Sequence, residues 1–378
     1  MNFELTEEQL AVQEAARDFA RTELLPGVID RDTEQKFPVE QVKKMAALGF
    51  LGMMVDPKYN GGGMDTISYV LAMEEISKID ASASVCMSVN NSLVCWGLET
   101  YGDEEQKEKY LKPLAAQGIG AFCLSEPEAG SDATSQRTTA EDKGDFYILN
   151  GTKNWITNGN SANTYLVIAQ TDAAKRHKGI NALIVERGMD GFVVGKKEDK
   201  MGIRGSDTHS LMFTDVKVPK KNRIGEDGFG FTFAMSTLNG GRIGIAAQAL
   251  GIASGAYELA LKYSKERKAF GKHLSEHQAI QFKLADMATK IDAARLMIWK
   301  AAYLKDQRKD FVKAAAMAKL FASHIAQEVT SEAVQIHGGY GYVKEFHVER
   351  MMRDAKITQI YEGTTEIQKM VISRELLR

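Results

Sequence analysis

The chain has 378 residues, enough for two or three domains. Its 44% hydrophobic and 26% charged residues are ordinary for a soluble globular protein with a sizeable core, and a formal charge of −2 offers no basic field for nucleic acid. The three cysteines, Cys86, Cys95 and Cys123, are too few and too widely spaced for a disulfide framework or a zinc knuckle, and they suit a reducing compartment.

Residues 1–117 read as helical. The start of the chain is acidic and amphipathic, which is not the pattern of a signal or transit peptide. Thr6-x-x-Gln9 is a capping box, and Val12, Ala16 and Phe19 follow at helical spacing. Pro26 closes that element. Phe37-Pro38 opens another, which runs to Gly49. Residues 60–63 break the chain before Val70, Met73 and Ile76 resume the helical period. Residues 81–96 are small, apolar and nearly uncharged, so they read as a buried helix or the wall of an apolar pocket. No apolar run is long enough to predict a membrane span.

Between 118 and 223 the helical period disappears. Short β-type runs occur at 121–125, 146–149, 154–157, 165–169, 182–185 and 211–213. Asn150-Gly151 and Asn158-Gly159 read as hairpin turns, since both residue types accept positive φ. A small β-barrel or sandwich is expected. From 224 onward the chain is helical again, and no proline follows Pro219. Ile280, Leu284, Met287, Ile291, Ala294, Ile298 and Ala301 step by fours and threes, as do Ala318, Ala322, Ile325, Val329, Ala333 and Ile336. That spacing suits long antiparallel helices. The expected fold is therefore an α+β multidomain chain: an N-terminal all-α domain (1–117), a middle β domain (118–223) and a C-terminal four-helix bundle (224–378).

No G-x-G-x-x-G, G-x-x-x-x-G-K-[ST] or G-x-S-x-G motif is present. His273 and His277 stand four apart, but no H-E-x-x-H accompanies them, and no metal site is expected. Other runs carry chemistry less specifically. Phe122-Cys-Leu-Ser-Glu-Pro-Glu-Ala-Gly-Ser-Asp132 is a strand followed by a rigid turn with hydroxyls and free N–H groups. Trp155-Ile156-Thr157-Asn158-Gly159 puts a flat ring and a hydroxyl at a strand end. Asn239-Gly240-Gly241-Arg242 places an arginine in a glycine-loosened stretch of helix. Arg267-Lys-Ala-Phe270-Gly-Lys272 ends a helix with cations and an aromatic ring, as helix C-termini often do; it would also suit a nucleotide diphosphate with a stacked base. Gln335-Ile-His-Gly338-Gly339-Tyr-Gly341 either turns the chain or lets backbone approach a phosphate. Near the C-terminus, Tyr361-Glu362-Gly363 breaks a helix. Thr365 with Gln368 then reads as a capping box that restarts one through Ile367, Met370 and Val371. Glu362 is there either a solvated loop residue or a positioned general base.

In this order and on this plan, the runs at 122–132, 155–159, 267–271, 335–339 and 361–366 resemble the acyl-CoA dehydrogenase family over essentially the whole chain. Around 87–93 and 235–310 the likeness is greatest to the short-chain (butyryl-CoA) members. The resemblance implies an FAD enzyme, typically a homotetramer, that oxidises an acyl-CoA substrate to the trans-2-enoyl-CoA. It implies that Phe122, Leu124 and Ser125 line the isoalloxazine edge, and that Trp155, Ile156 and Thr157 cover the flavin near N5. Ser131 would lie on the substrate side, toward the pantetheine. Arg267, Phe270 and Gln278 would hold the pyrophosphate and adenine, with Gln335, Gly338 and Gly339 coming from a neighbouring subunit. Thr364 and Glu366 would touch the same cofactor. Asn239 and Arg242 would meet the CoA nucleotide, and Gly363 would lie against the thioester.

Glu362 matches the family's catalytic base, which removes the α-proton while the β-hydrogen leaves as hydride to the flavin. Its own N–H and a ribityl hydroxyl polarise the thioester carbonyl. Members with the base elsewhere carry it at the position of Gly241, which cannot serve. Residues 79–106 contain no Lys or Arg, which disfavours a dicarboxylic substrate. Electrons would pass to an electron-transfer flavoprotein. A straight C4–C6 acyl-CoA is expected. A branched short-chain substrate, or a non-catalytic flavin- or acyl-CoA-binding role, are the alternatives. The expected location is cytoplasmic, or the mitochondrial matrix if a presequence was removed.

Overall fold

A computed structural model describes residues 4–378; residues 1–3, the start of the amphipathic N-terminal run, lie outside the described residues. The first helix, Glu7–Phe19, opens on the expected capping box: Thr6 accepts from the Gln9 N–H, and the Gln9 side chain returns a bond to Thr6. Thr66–Ser77 and Ala81–Ser88 follow, the latter running on through a wider π turn at Val89–Cys95. Residues 81–95 are buried without exception. Asp80 starts this helix by accepting from the N–H groups of Ser82 and Ala83, and it is held in turn by Arg31.

Eight strands form one connected sheet: β1 (Gly120–Cys123), β2 (Thr139–Asp142), β3 (Phe146–Thr157), β4 (Thr164–Gln170), β5 (Ile180–Glu186), β6 (Phe192–Lys197), β7 (Thr208–Pro219) and β8 (Arg223–Ile224). The path runs β6-β7-β3-β2-β4-β5-β8, and β1 lies parallel to β4 beside it. Strand β4 joins this sheet to the helices, and all of its residues are buried. Side chains alternate along a strand. Tyr165, Val167 and Ala169 therefore fill the sheet's own core, together with Leu183 and Val185 of β5. Leu166 and Ile168 point the other way, with Ala182 and Ile184, into the helical core.

Both expected hairpins are absent. The runs at 146–149 and 154–157 are parts of a single 12-residue strand, β3. Asn150-Gly151 is a bulge within it, where the register against β7 slips and the Asn150 amide pairs with Asp215. Asn158-Gly159 does turn the chain, but β4 is not a neighbour of β3, and the Asn158 amide donates to Gly120 O instead. Both dipeptides reported a backbone that reaches positive φ, at Gly151 and Asn158; neither fixed which strands pair. Strands β2 and β6 went unread because β2 has a single buried residue and β6 none.

The proline-free remainder builds three long helices, Gly230–Glu266, Gln278–Asp306 and Val312–His337, then two shorter ones, Val348–Ile357 and Thr365–Leu376. By length and composition Gly230–Glu266 could cross a membrane, but 83% of its most apolar window is buried inside the protein. It is the central helix of the core. The Asn239–Arg242 stretch, read as loosened by glycine, is continuous helix within it. Gly251 and Gly255 let the Thr66–Ser77 helix lie close: a Cβ at either would come within 2.4 Å of a carbonyl, that of Glu74 or Lys78.

A buried ion pair ties β3 to the loop that follows β1. Lys153 and Glu126 are 0% and 1% exposed and 2.7 Å apart. The ammonium also donates to Leu124 O and Gln136 Oε1, so all three of its protons are used. Glu126 accepts in addition from the N–H groups of Arg137 and Thr138. Lys153→Ala would leave this carboxylate buried without its cation, at a cost of about 3–5 kcal/mol. The Tm of the purified variant should drop by several degrees; an unchanged Tm would show that the pair contributes nothing.

Candidate active site

The helix Val348–Ile357 ends in a turn closed by the N–H groups of Ile360 and Tyr361, both donating to Ile357 O. The chain then enters the left-handed region twice, at Glu362 (φ 52°) and Gly363 (φ 93°). Glycine is at ease there, whereas glutamate is strained. The next helix is capped by Thr364, whose hydroxyl accepts from Ile367 N–H. The cap is therefore one residue earlier than expected, and Thr365 N–H bonds back to Gln359 O. Gln368, read as a capping partner, instead donates to Gly363 O at 2.8 Å. Lys319 reaches the same carbonyl from the Val312–His337 helix at 2.6 Å. On the other side, the Tyr361 hydroxyl donates to Gln248 Oε1. The Gln248 amide in turn donates to Ala81 O and Ser84 Oγ of the buried Ala81–Ser88 helix.

Glu362 faces a cavity of about 540 Å³. Val89 and Leu93 form one wall, and Leu238, Ile357, Ile360 and Ile367 extend the apolar lining. Strands β1 and β3 contribute Phe122, Trp155, Ile156 and Thr157, the loop after β1 contributes Leu124, Ser125 and Ser131, and the turn contributes Gly363 and Thr364. Thus eleven of the expected site residues meet here: those seven with Arg242, Glu362, Gly363 and Thr364. Trp155 sits at a second register slip of β3 against β7, with φ 56°, and its side chain is 58% exposed. The bulge re-aims the ring from the sheet toward the cavity.

The Oε2 of Glu362 is buried and has no hydrogen-bond partner among the described residues. Burial pushes this carboxyl up to about 7, although the charges of Lys319 and then Arg242 pull the other way. Arg242 is only 5% exposed, and its Nη1 donates to Asn239 Oδ1 at 2.6 Å. Burial lowers it to about 10, with Glu362 opposing. Arg242 lines the cavity beside Glu362, and its bond to Asn239 holds that residue next to it. Gly241 leaves the space that the Glu362 carboxylate occupies. A Cβ there would lie 2.1 Å from Glu362 Oε2 and 2.7 Å from a Leu93 methyl.

The remaining expected residues lie elsewhere. Arg267, Gly338 and Gly339 line a separate cleft of about 590 Å³ with Tyr263, His337, Tyr340 and Glu345. A single chain therefore brings Arg267 beside the two glycines that the resemblance assigned to a neighbouring subunit. The Arg267 guanidinium lies 5.5 Å over the Tyr340 ring. Phe270, in a tight turn at φ 51°, is 98% exposed, and Gln278, Gln335 and Glu366 are exposed too. The His277 ring faces Ala269 O and the Phe270 ring. Sequence reasoning missed Lys319 and Gln248. The only signal for Lys319 was a cation on the otherwise small face of Ala315, Ala322 and Ser323.

Family models match the chain in three consecutive pieces. The acyl-CoA dehydrogenase N-terminal domain covers residues 6–118, the middle domain 121–216 and the C-terminal domain 228–377. The chain is 50% identical over 379 residues to the short-chain specific acyl-CoA dehydrogenase of Clostridium acetobutylicum, with all of both chains covered. It superposes on butyryl-CoA dehydrogenase from Megasphaera elsdenii with a TM-score of 0.99 at 50% identity, again over all of both chains. A chain in a structure of the electron transferring flavoprotein of Acidaminococcus fermentans matches equally fully, with a TM-score of 0.99 at 52% identity. With three domain matches in sequence and full-length similarity at half identity, the chain belongs to the acyl-CoA dehydrogenase family.

Proposed function

We propose that this protein is a short-chain acyl-CoA dehydrogenase, which uses FAD to convert an acyl-CoA thioester into the trans-2-enoyl-CoA, with Glu362 as the base. The observation that carries this reading is a buried, partnerless carboxylate facing an apolar cavity, in a chain half identical to a short-chain specific relative.

The residues present fit the cofactor. The exposed Trp155 ring, the Thr157 hydroxyl and the Phe122–Ser125 edge would hold the flavin. Gly130 has nothing within 4 Å of where a Cβ would stand, so its backbone is open to a ligand. Arg267, Phe270, Gln278, Gln335, Gly338 and Gly339 would hold the diphosphate and adenine, and the two glycines are equally open. Thr364 and Glu366 would complete the contacts. The bare Phe270 ring fits a cofactor shared with a second subunit of a homotetramer. Bound FAD supplies the oxidant that accepts the β-hydrogen as hydride.

The chain's own residues do the rest. A carboxyl raised to about 7 by burial is a stronger base than one in solution, which suits removal of a weakly acidic α-proton. The Glu362 backbone N–H donates to no acceptor among the described residues. It is free to bond the thioester carbonyl as negative charge builds there, and one such donor is typically worth about 3 kcal/mol. Ser131 and Gly363 lie along the path of the thioester. Val89, Leu93 and Leu238 keep water from the reacting carbons. The wall supplied by residues 79–106 presents only Val89 and Leu93, so no cation there meets a distal carboxylate. Electron transfer to an electron-transfer flavoprotein, a cytoplasmic location and domain boundaries near 117/118 and 223/224 belong to the same reading; the similarity to bacterial relatives and the three matched domains support it.

Glu362→Gln should bind FAD, yet its flavin absorbance should survive anaerobic addition of butyryl-CoA; bleaching at the wild-type rate would remove Glu362 from the mechanism. The kcat/KM for butyryl-CoA should fall as pH drops below about 7, because a carboxyl raised to about 7 by burial is protonated there and cannot accept the α-proton. A profile flat across that range would contradict the assignment. Gly241→Ala should keep FAD but lose roughly 100-fold in kcat, since its methyl displaces Oε2 by an ångström or so; wild-type turnover would show that the carboxylate tolerates the move.

A further inference from the structure

We propose that Lys319 is the positioning residue of this site: its ammonium fixes the turn that carries Glu362 and is the positive charge set behind that carboxylate. The inference rests on Glu362 being the base.

Lys319 is 0% exposed, in the first third of Val312–His337. Its helix face is otherwise small and buried, with Ala315, Ala322 and Ser323 beside it. A lysine in such a place is unfavourable unless its charge is used. Its one hydrogen bond goes to Gly363 O, and it forms no ion pair among the described residues. Gln368, also 0% exposed, donates to the same oxygen. Two buried donors therefore converge on one carbonyl, and that carbonyl belongs to the residue after Glu362. This holds a glutamate at positive φ, where it would not stay unaided.

The charge acts separately from the bond. The groups that face the pair are Arg242 from Gly230–Glu266, Glu366 from Thr365–Leu376, and the Tyr361 and Tyr69 hydroxyls; Arg374 bears on Arg242. Lys319 is the first of the two cations that favour the ionised form of Glu362. In return Glu362 is the first group to resist the burial that brings Lys319 down to about 7. Without the ammonium, only Arg242 would oppose the desolvation of the carboxylate, and Glu362 would ionise at higher pH.

Three holoenzyme variants separate bond from charge: Lys319→Met removes both, Lys319→Gln keeps a donor, and Lys319→Arg keeps the charge. The acidic limb of kcat/KM against pH should move up by about one unit or more in Lys319→Met and Lys319→Gln, and stay in place in Lys319→Arg. The carboxylic-acid stretch of Glu362, identified by its loss in Glu362→Gln, should titrate with the same displacement in infrared difference spectra. An uncharged variant that retains FAD, with limb and infrared titration both at the wild-type position, would overturn the proposal. Inactive Glu362→Gln beside such a variant would sink this inference alone, whereas an active Glu362→Gln would mean that the base assignment itself had failed.

Discussion

A carboxylate taken out of water and given no hydrogen bond loses several kcal/mol of solvation. The surroundings of Glu362 are arranged so that this loss is tolerated without cancelling the basicity it creates. A direct salt bridge would stabilise the carboxylate and make it a poor base. The two nearby cations are therefore tied to other atoms: Arg242 to Asn239 Oδ1, and Lys319 to Gly363 O. Their charge is felt, yet neither hydrogen-bonds Oε2, which stays free to take a proton.

That arrangement constrains distant parts of the fold. The strained turn is held by donors from two helices at Gly363, and by the Tyr361–Gln248 link to Ala81 and Ser84. The Ala81–Ser88 helix is thereby coupled to this turn through the long central helix. That central helix is glycine at 241 because the carboxylate occupies the space of any side chain there. The side of the cavity facing Glu362 depends on the sheet. Strand β4 packs on both faces, and Lys153 with Glu126 pins β3 to the loop bearing Leu124 and Ser125.

Much of this was legible in the chain. Gly363 after Glu362 announced a backbone break, and the stepping of apolar residues announced the long helices. The errors came where a local signal has two structural outcomes. Asn-Gly permits positive φ in a hairpin or in a bulge, and only tertiary pairing decides between them. Adjacent hydroxyls at Thr364 and Thr365 are equally good caps by residue type, and the Gln359 carbonyl that takes Thr365 N–H selects Thr364. Lys319 was overlooked because lysine on a helix is ordinarily solvated, and its partner lies 44 residues away. Arg267 and Gly338 meet only because two long helices pack side by side, which no spacing along the chain reveals.

In the proposed mechanism Glu362 alone removes the α-proton. Hydrogen exchange at the α-carbon tests it without requiring hydride transfer. A 3-thia acyl-CoA, which has an acidic α-hydrogen but no β-hydrogen to give up, would be incubated with holoenzyme in D2O and followed by mass spectrometry. Deuterium is expected at the α-carbon with wild-type protein and none above background with Glu362→Gln. Equal incorporation by both would contradict it.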